Sequence, residues 1–149
     1  MAEFLPPVNK NETLKHTGHI ILLVEDDPDD LQMIKEALEI GSASLNIIHK
    51  KNGLEALDYL NGIKSRNNSI PCLIIMDINM PILTGKQLLS IIKNEEDFQT
   101  IPVIIFTTSS NDGDREFCNR FNVPMVTKPN GLQDFNSTVQ KFIKHCEAA

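Results

Sequence analysis

Several side chains able to do chemistry stand where apolar runs end. Glu25-Asp26-Asp27 follows Ile20–Val24, Asp77 follows Leu73–Met76, Thr107-Thr108 follows Val103–Phe106, and Lys128 comes two residues after Met125-Val126. Taken singly, each has an ordinary explanation. Acids before Pro28 cap a helix, Asp77 shapes a turn towards Pro81, threonines are common after strands, and an isolated lysine is usually solvated. Taken together they define a chemistry. Crowded carboxylates repel unless one is protonated or a cation sits among them. Oxygen donors with few imidazoles or thiols select Mg²⁺, which keeps waters and helps bind phosphoryl groups. Lys128 adds a second positive charge against phosphoryl oxygens, Thr107 offers a hydroxyl to them, and Asp77 is left as the carboxylate nucleophile that forms an acyl phosphate.

The elements that must position these groups are readable from periodicity. Ile20-Ile21-Leu22-Leu23-Val24 is apolar on both faces, as in a central strand of a parallel sheet. Asp27 caps the helix that follows, Pro28 suits its first turn, and Leu31, Ile34 and Leu38 line one side up to a stop at Gly41. A weaker strand runs from Leu45 to Lys50. Asn52 with Glu55 resembles a capping box for a helix carrying Leu57 and Leu60, and the polar stretch from Gly62 to Ser69 reads as a loop. Leu73–Met76 is a third strand, and Thr84 with Gln87 starts a helix carrying Leu88, Leu89 and Ile92. Val103–Phe106 is the fourth strand, Asn111 to Phe121 a short helix, and Met125-Val126 a weak fifth strand. A last helix, expected to reach about His145, carries Leu132, Phe135, Val139, Phe142 and Ile143. Five strands alternating with five helices give an α/β, doubly wound sheet with right-handed crossovers. In such a sheet functional groups gather beyond the carboxyl ends of the strands.

Composition fits one soluble domain: 149 residues, 41% hydrophobic and 23% charged. The expected division is a tail over 1–18, where Pro6-Pro7 disfavours helix, and a domain over 19–146. A net charge of −6 argues against a general nucleic-acid surface. Cys72, Cys118 and Cys146 are scattered, a pattern expected of reduced thiols in the cytoplasm rather than of a disulfide framework. No apolar run is long enough to cross a membrane. His16, His19, His49 and His145 are dispersed and suggest neither a ligand cluster nor a catalytic base.

The strings Leu23-Val24-Glu25-Asp26-Asp27-Pro28, Met76-Asp77-Ile78-Asn79-Met80-Pro81, Phe106-Thr107-Thr108-Ser109 and Thr127-Lys128-Pro129 strongly resemble, in order, the signature blocks of bacterial response-regulator receivers. The resemblance runs from about His19 to Cys146. It implies a flavodoxin-like five-stranded parallel sheet of order 2-1-3-4-5 and a module that takes a phosphoryl group on Asp77. It further implies that Glu25 and Asp26 form the acidic pair and that Asp26, Asp77 and the Asn79 carbonyl hold Mg²⁺. Thr107 would be the switch hydroxyl, Lys128 the phosphoryl-binding lysine, and the Lys128–Pro129 peptide cis. The implied partner is a sensor histidine kinase or a histidine phosphotransfer protein. Within the family the chain looks most similar to the small regulators that pair with phytochrome-type kinases, with neither a DNA-binding domain nor a membrane anchor. A symmetric dimer is the expectation for the face of the fourth and fifth helices and fifth strand, with Phe142 and Cys146 as candidates for spare apolar surface, although burial against the domain's own sheet is the expected fate of either one. One departure stands out. Met125 occupies the position usually held by Tyr or Phe, and Phe121–Met125 lacks the usual Gly-Ala turn. The backbone change on activation is therefore expected mainly in the loop from Thr108 to Asp114.

Two other classes use parts of this pattern. A phosphatase of the haloacid-dehalogenase type needs a general-acid Asp two residues after the nucleophile, and this chain has Asn79 there. A pseudo-receiver, which binds partners without phosphorylation, would not need the full set Glu25, Asp26, Asp77, Thr107 and Lys128.

Overall fold

The computed structural model describes residues 19–42, 44–66 and 70–147. The expected N-terminal tail lies outside them. The apolar runs form β1 (Ile20–Val24), β2 (Asn46–Lys50), β3 (Leu73–Met76), β4 (Val103–Thr107) and β5 (Met125–Thr127). Between and after them come α1 (Pro28–Gly41), α2 (Gly53–Arg66), α3 (Gly85–Asn94), α4 (Asp112–Arg120), α5 (Leu132–Phe142) and a terminal turn, α6 (Lys144–Glu147). Every strand pair is parallel and the order is β2-β1-β3-β4-β5.

Side-chain alternation divides the core in two. Leu22, Val24, Ile74, Met76, Val103 and Ile105 face one side with Ala56, Leu60, Leu88 and Ile92. Ile21, Leu23, Leu73, Ile75, Ile104 and Phe106 face the other with Ile34, Leu38, Phe135 and Val139. A strand whose successive residues point to opposite faces, both covered by helices, must be apolar throughout. β1, β3 and β4 as far as Phe106 are such strands, and Thr107, which ends β4, is buried as well. β2 lies at the sheet edge and is only half-buried, hence its weaker signal.

The helix starts follow the capping chemistry. Asp27 Oδ1 accepts from the Asp29 and Asp30 N–H groups at 2.8 and 3.0 Å, with Pro28 at the first helical position. Thr84 and Gln87 bond each other's backbone N–H reciprocally. At α2 Asn52 caps the Glu55 N–H, whereas the Glu55 side chain returns to Lys51 rather than to Asn52.

Four expectations are corrected. α2 continues through Gly62 to Arg66 instead of ending in a loop, because Ile63 extends the buried stripe of Ala56 and Leu60. The last helix does not run unbroken to His145; it ends at Phe142, and Ile143 turns the chain into α6. That turn brings Cys146 to Cys72, and the two form a disulfide across 74 residues of sequence, with only Cys118 free among the described cysteines. Both partners are buried, so the bond is shielded from dissolved thiols. Finally, no described peptide is cis, Lys128–Pro129 included, in keeping with the intrinsic preference of X–Pro bonds for trans. Phe142 and Cys146 are buried in the domain's own core, the fate expected of them over spare apolar surface. Leu132, 62% exposed, is the open apolar residue of α5.

Among the described residues, two that are not glycine have positive φ. Asn122 (φ 57°) makes the turn where Gly-Ala is missing, a conformation that asparagine tolerates. Ile82 (φ 70°) sits in a three-residue turn closed by the Leu83 N–H on the Pro81 carbonyl at 2.8 Å. A β-branched residue is strained there.

Candidate functional site

In this strand order the reversal of winding falls between β1 and β3, and that is where an open parallel sheet leaves a crevice at its carboxyl edge. Register delivers the chemistry to it. Val24 is paired with Met76, so Glu25 and Asp77 leave adjacent strands side by side, and the Asp77 N–H donates to the Val24 carbonyl. Thr107 is paired with Thr127, and the Lys128 N–H donates to the Thr107 carbonyl at 2.8 Å. The resulting cleft is lined by Glu25, Asp26, Asp30, Asp77, Asn79, Thr108 and Lys128, among others.

Lys128 is the hub. Its side chain is 4% exposed, and its ammonium donates to Glu25 Oε1 at 2.8 Å, Asp30 Oδ2 at 2.8 Å and Asp77 Oδ2 at 3.0 Å. Burial alone would favour the neutral amine, but the hydrogen bonds and charges of Asp30, Glu25 and Asp77 outweigh it and hold the ammonium above the ordinary lysine range. Burial is also the largest influence on Glu25. It raises that carboxyl, and Lys128 and the Asp27 N–H offset the effect only in part.

The carboxylates are anchored differently. Glu25 is spanned between Lys128 and the Asp27 N–H (3.2 Å), and its own carbonyl accepts from His49 Nε2 at 2.9 Å. Asp77 Oδ1 accepts from the Ile78 N–H at 2.6 Å and, more weakly, the Asn79 N–H at 3.4 Å, leaving Oδ2 to the lysine. The turn after Asp77 is pressed against α3. A Cβ on Gly85 would overlap the Asp77 carbonyl oxygen and come within 2.7 Å of Ile78 Cα, so the backbone beneath Asp77 requires a residue without a side chain. Asp26 is exposed and has no hydrogen-bond partner among the described residues; Asp27, its neighbour, is committed to the helix cap.

Of the residues expected from sequence, Glu25, Asp26, Asp77, Asn79 and Lys128 meet at the cleft, whereas Thr107 does not face it. Its hydroxyl is fully buried and accepts from the Ser109 N–H at 3.2 Å. From there a polar chain leads away from the site. Ser109 Oγ donates to Asp114 Oδ2 at 2.7 Å, Asp114 pairs with Lys86 at 2.6 Å, and Lys86 lies over the Phe117 ring. Lys86 and then Ser109 hold the Asp114 carboxyl below its ordinary range. Met125 is buried in the core on the α2–α3–α4 side of the sheet. Asp30 was not singled out in the sequence, where it looks like any acid in the first turn of a helix.

No three His, Cys, Asp or Glu side chains converge as a ready ligand set among the described residues. The donors that fit a hard cation are the open carboxylate of Asp26, the carboxylate of Asp77 and the Asn79 backbone. All are oxygen donors on one cleft, which is the donor chemistry of Mg²⁺ or Mn²⁺ rather than of a thiophilic metal.

A five-stranded doubly wound sheet with acids, a hydroxyl and a buried lysine on its carboxyl edge defines a receiver-type domain. Comparison with known proteins agrees: residues 21–140 match the response regulator receiver domain family. The chain belongs to that family, which works in two-component phosphorelay signalling. It is 35% identical over 125 residues to the probable methanogenesis regulatory protein FilR2 of Methanothrix harundinacea, covering 83% of this chain and 80% of that protein. It is 34% identical over 123 residues to the response regulator Rcp1 of Synechocystis sp., covering 81% and 84%. The fold superposes on the Mn²⁺-bound form of Rcp1 with a TM-score of 0.77 at 32% identity, over 85% of this chain and 92% of that one. For the phosphorylated cyanobacterial phytochrome response regulator RcpA the TM-score is 0.79 at 30% identity, over 89% and 95%.

Proposed function

We propose that this domain accepts a phosphoryl group on Asp77 from the phosphohistidine of a sensor kinase, or of a histidine phosphotransfer protein, in a step that depends on Mg²⁺. The observation that carries the reading is the buried Lys128 ammonium, 3.0 Å from Asp77 Oδ2 at the mouth of the β1–β3 crevice. A carboxylate oxygen attacks phosphorus, a P–O bond forms, the P–N bond of the donor breaks, and the imidazole leaves with the electron pair and takes up a proton. Asp26, Asp77 and the Asn79 carbonyl would hold Mg²⁺, with Glu25 supporting the site through Lys128. The ion, when bound, neutralises charge on the transferring group. Lys128 does the same from the other side, and Thr107 would turn from the Ser109 N–H to a phosphoryl oxygen, a charge-assisted bond stronger than the one it leaves.

The name of RcpA supports a phytochrome-type kinase as the donor, since that similar protein is described as a phytochrome response regulator and Rcp1 is a response regulator as well. No described helix is long and apolar enough to cross a membrane. The chemistry here is self-phosphorylation from a donor and self-dephosphorylation, not turnover of a free substrate. A dehalogenase-type phosphatase is disfavoured because Asn79 provides no acid for the leaving group.

The test is mass spectrometry after incubation with a small acyl phosphate. One phosphoryl mass is expected with Mg²⁺ and none with a chelator; no gain in either would overturn the reading. The metal assignment has its own check. Asp26→Asn exchanges a charged oxygen for a neutral one and should weaken Mg²⁺ binding roughly tenfold or more. Asp27→Asn, at the cap, should leave it nearly unchanged, and equal losses by calorimetric titration would show the acidic pair to be misassigned.

A further inference from the structure

We infer that Asp30 is a positioning residue that holds Lys128 in the resting site and competes with an incoming phosphoryl group for its ammonium. The inference rests on the phosphoacceptor reading and adds a residue to it. An ammonium has three N–H donors, and in this structure all are spoken for, by Glu25, Asp30 and Asp77. A phosphoryl group on Asp77 needs at least one of them.

The three acceptors are not equally able to release the lysine. Glu25 is 2% exposed and tied a second time to the Asp27 N–H. Asp77 is fixed through its other oxygen by the backbone of the turn that follows it. Asp30 is 29% exposed in its side chain, and Lys128 is its only side-chain partner among the described residues. It can give up the contact to water at small cost, because a solvated carboxylate on a helix first turn is comfortable there. Glu25 thus sets where the ammonium sits, and Asp30 sets how much of it is available. A further consequence is electrostatic. Asp30 adds a negative charge beside the place where an anion must bind, so its removal favours a phosphoryl mimic and disfavours, or leaves unchanged, a cation.

The opposite response of anion and cation is what a purely structural role would not produce. Fluoroberyllate with Mg²⁺ serves as the phosphoryl mimic, read by backbone amide NMR titration, and Mg²⁺ alone is titrated in parallel. Asp30→Asn is expected to bind fluoroberyllate about three- to tenfold more tightly, the effect of one charge-assisted hydrogen bond returned to the anion and discounted for solvent exposure. Its Mg²⁺ affinity should be equal or lower, and Asp30→Glu should restore the parent value for the mimic. Unchanged or weaker fluoroberyllate binding by Asp30→Asn would overturn the inference. So would a lowered melting temperature accompanied by loss of both affinities, which would make Asp30 a structural clamp. A parent protein that binds no fluoroberyllate at all would instead overturn the phosphoacceptor reading itself.

Discussion

Exposed to Mg²⁺ and a small acyl phosphate, the Asp77→Asn variant is expected to gain no phosphoryl mass under conditions where the parent gains one. The amide oxygen is a poor nucleophile, and no neighbouring acid is placed to substitute. Glu25 is buried and held at both ends of its carboxylate, and Asp27 is committed to capping α1. Asp26 is open, but it stands at the cleft without the lysine contact that Asp77 has. The fold should survive the change. The amide can still accept the Ile78 N–H, and Lys128 keeps Glu25 and Asp30 as partners. Undiminished labelling of a well-folded Asp77→Asn would move the acceptor elsewhere.

Cys146→Ser should have the largest effect on stability. A covalent link across 74 residues restricts the unfolded chain, and the loop-closure relation puts the loss at about 4 kcal/mol. With a denaturant slope of roughly 2 kcal/mol per molar, the urea midpoint falls by about 2 M. Cys118, buried and unpaired, is the control: Cys118→Ser leaves the link in place and should show only the local cost of an altered core side chain. A Cys146→Ser midpoint equal to that of the parent would mean that the link contributes nothing to folding in solution.

The sequence made the site legible to the extent that it depends on strands. β1, β3 and β4 are buried on both faces and announce themselves as unbroken apolar runs, so the residues beyond their carboxyl ends could be brought to one edge with no distance known. Caps at Asp27 and Thr84 were equally plain, because their chemistry is local. What could not be read was long-range and set by packing. Asp30 looks like an acid serving the helix dipole until Lys128, 98 residues away, is found on it. Cys72 and Cys146 appear unrelated until the break at Ile143 swings one onto the other. Gly62 suggested a loop, but Ile63 keeps α2 on the sheet. The Thr107 hydroxyl was placed at the right strand end, yet only the structure shows it turned inward to Ser109.

β3 is four residues long, with Asp77 directly after it and a covalent staple directly before it. The staple runs to the far end of the chain, beyond the α5 helix that packs on α1. One half of the sandwich is therefore moored at its base, like a mast stepped into a keel. The opposite half, with α4 and the Thr108–Asp114 loop, has no such covalent mooring among the described residues: it is held by core packing, by hydrogen bonds and by the ion pair of Lys86 with Asp114. Under the proposed function, a push delivered at the Thr107 hydroxyl would meet a stapled wall on one side and an unstapled one on the other, which would bias the direction in which a signal leaves the domain.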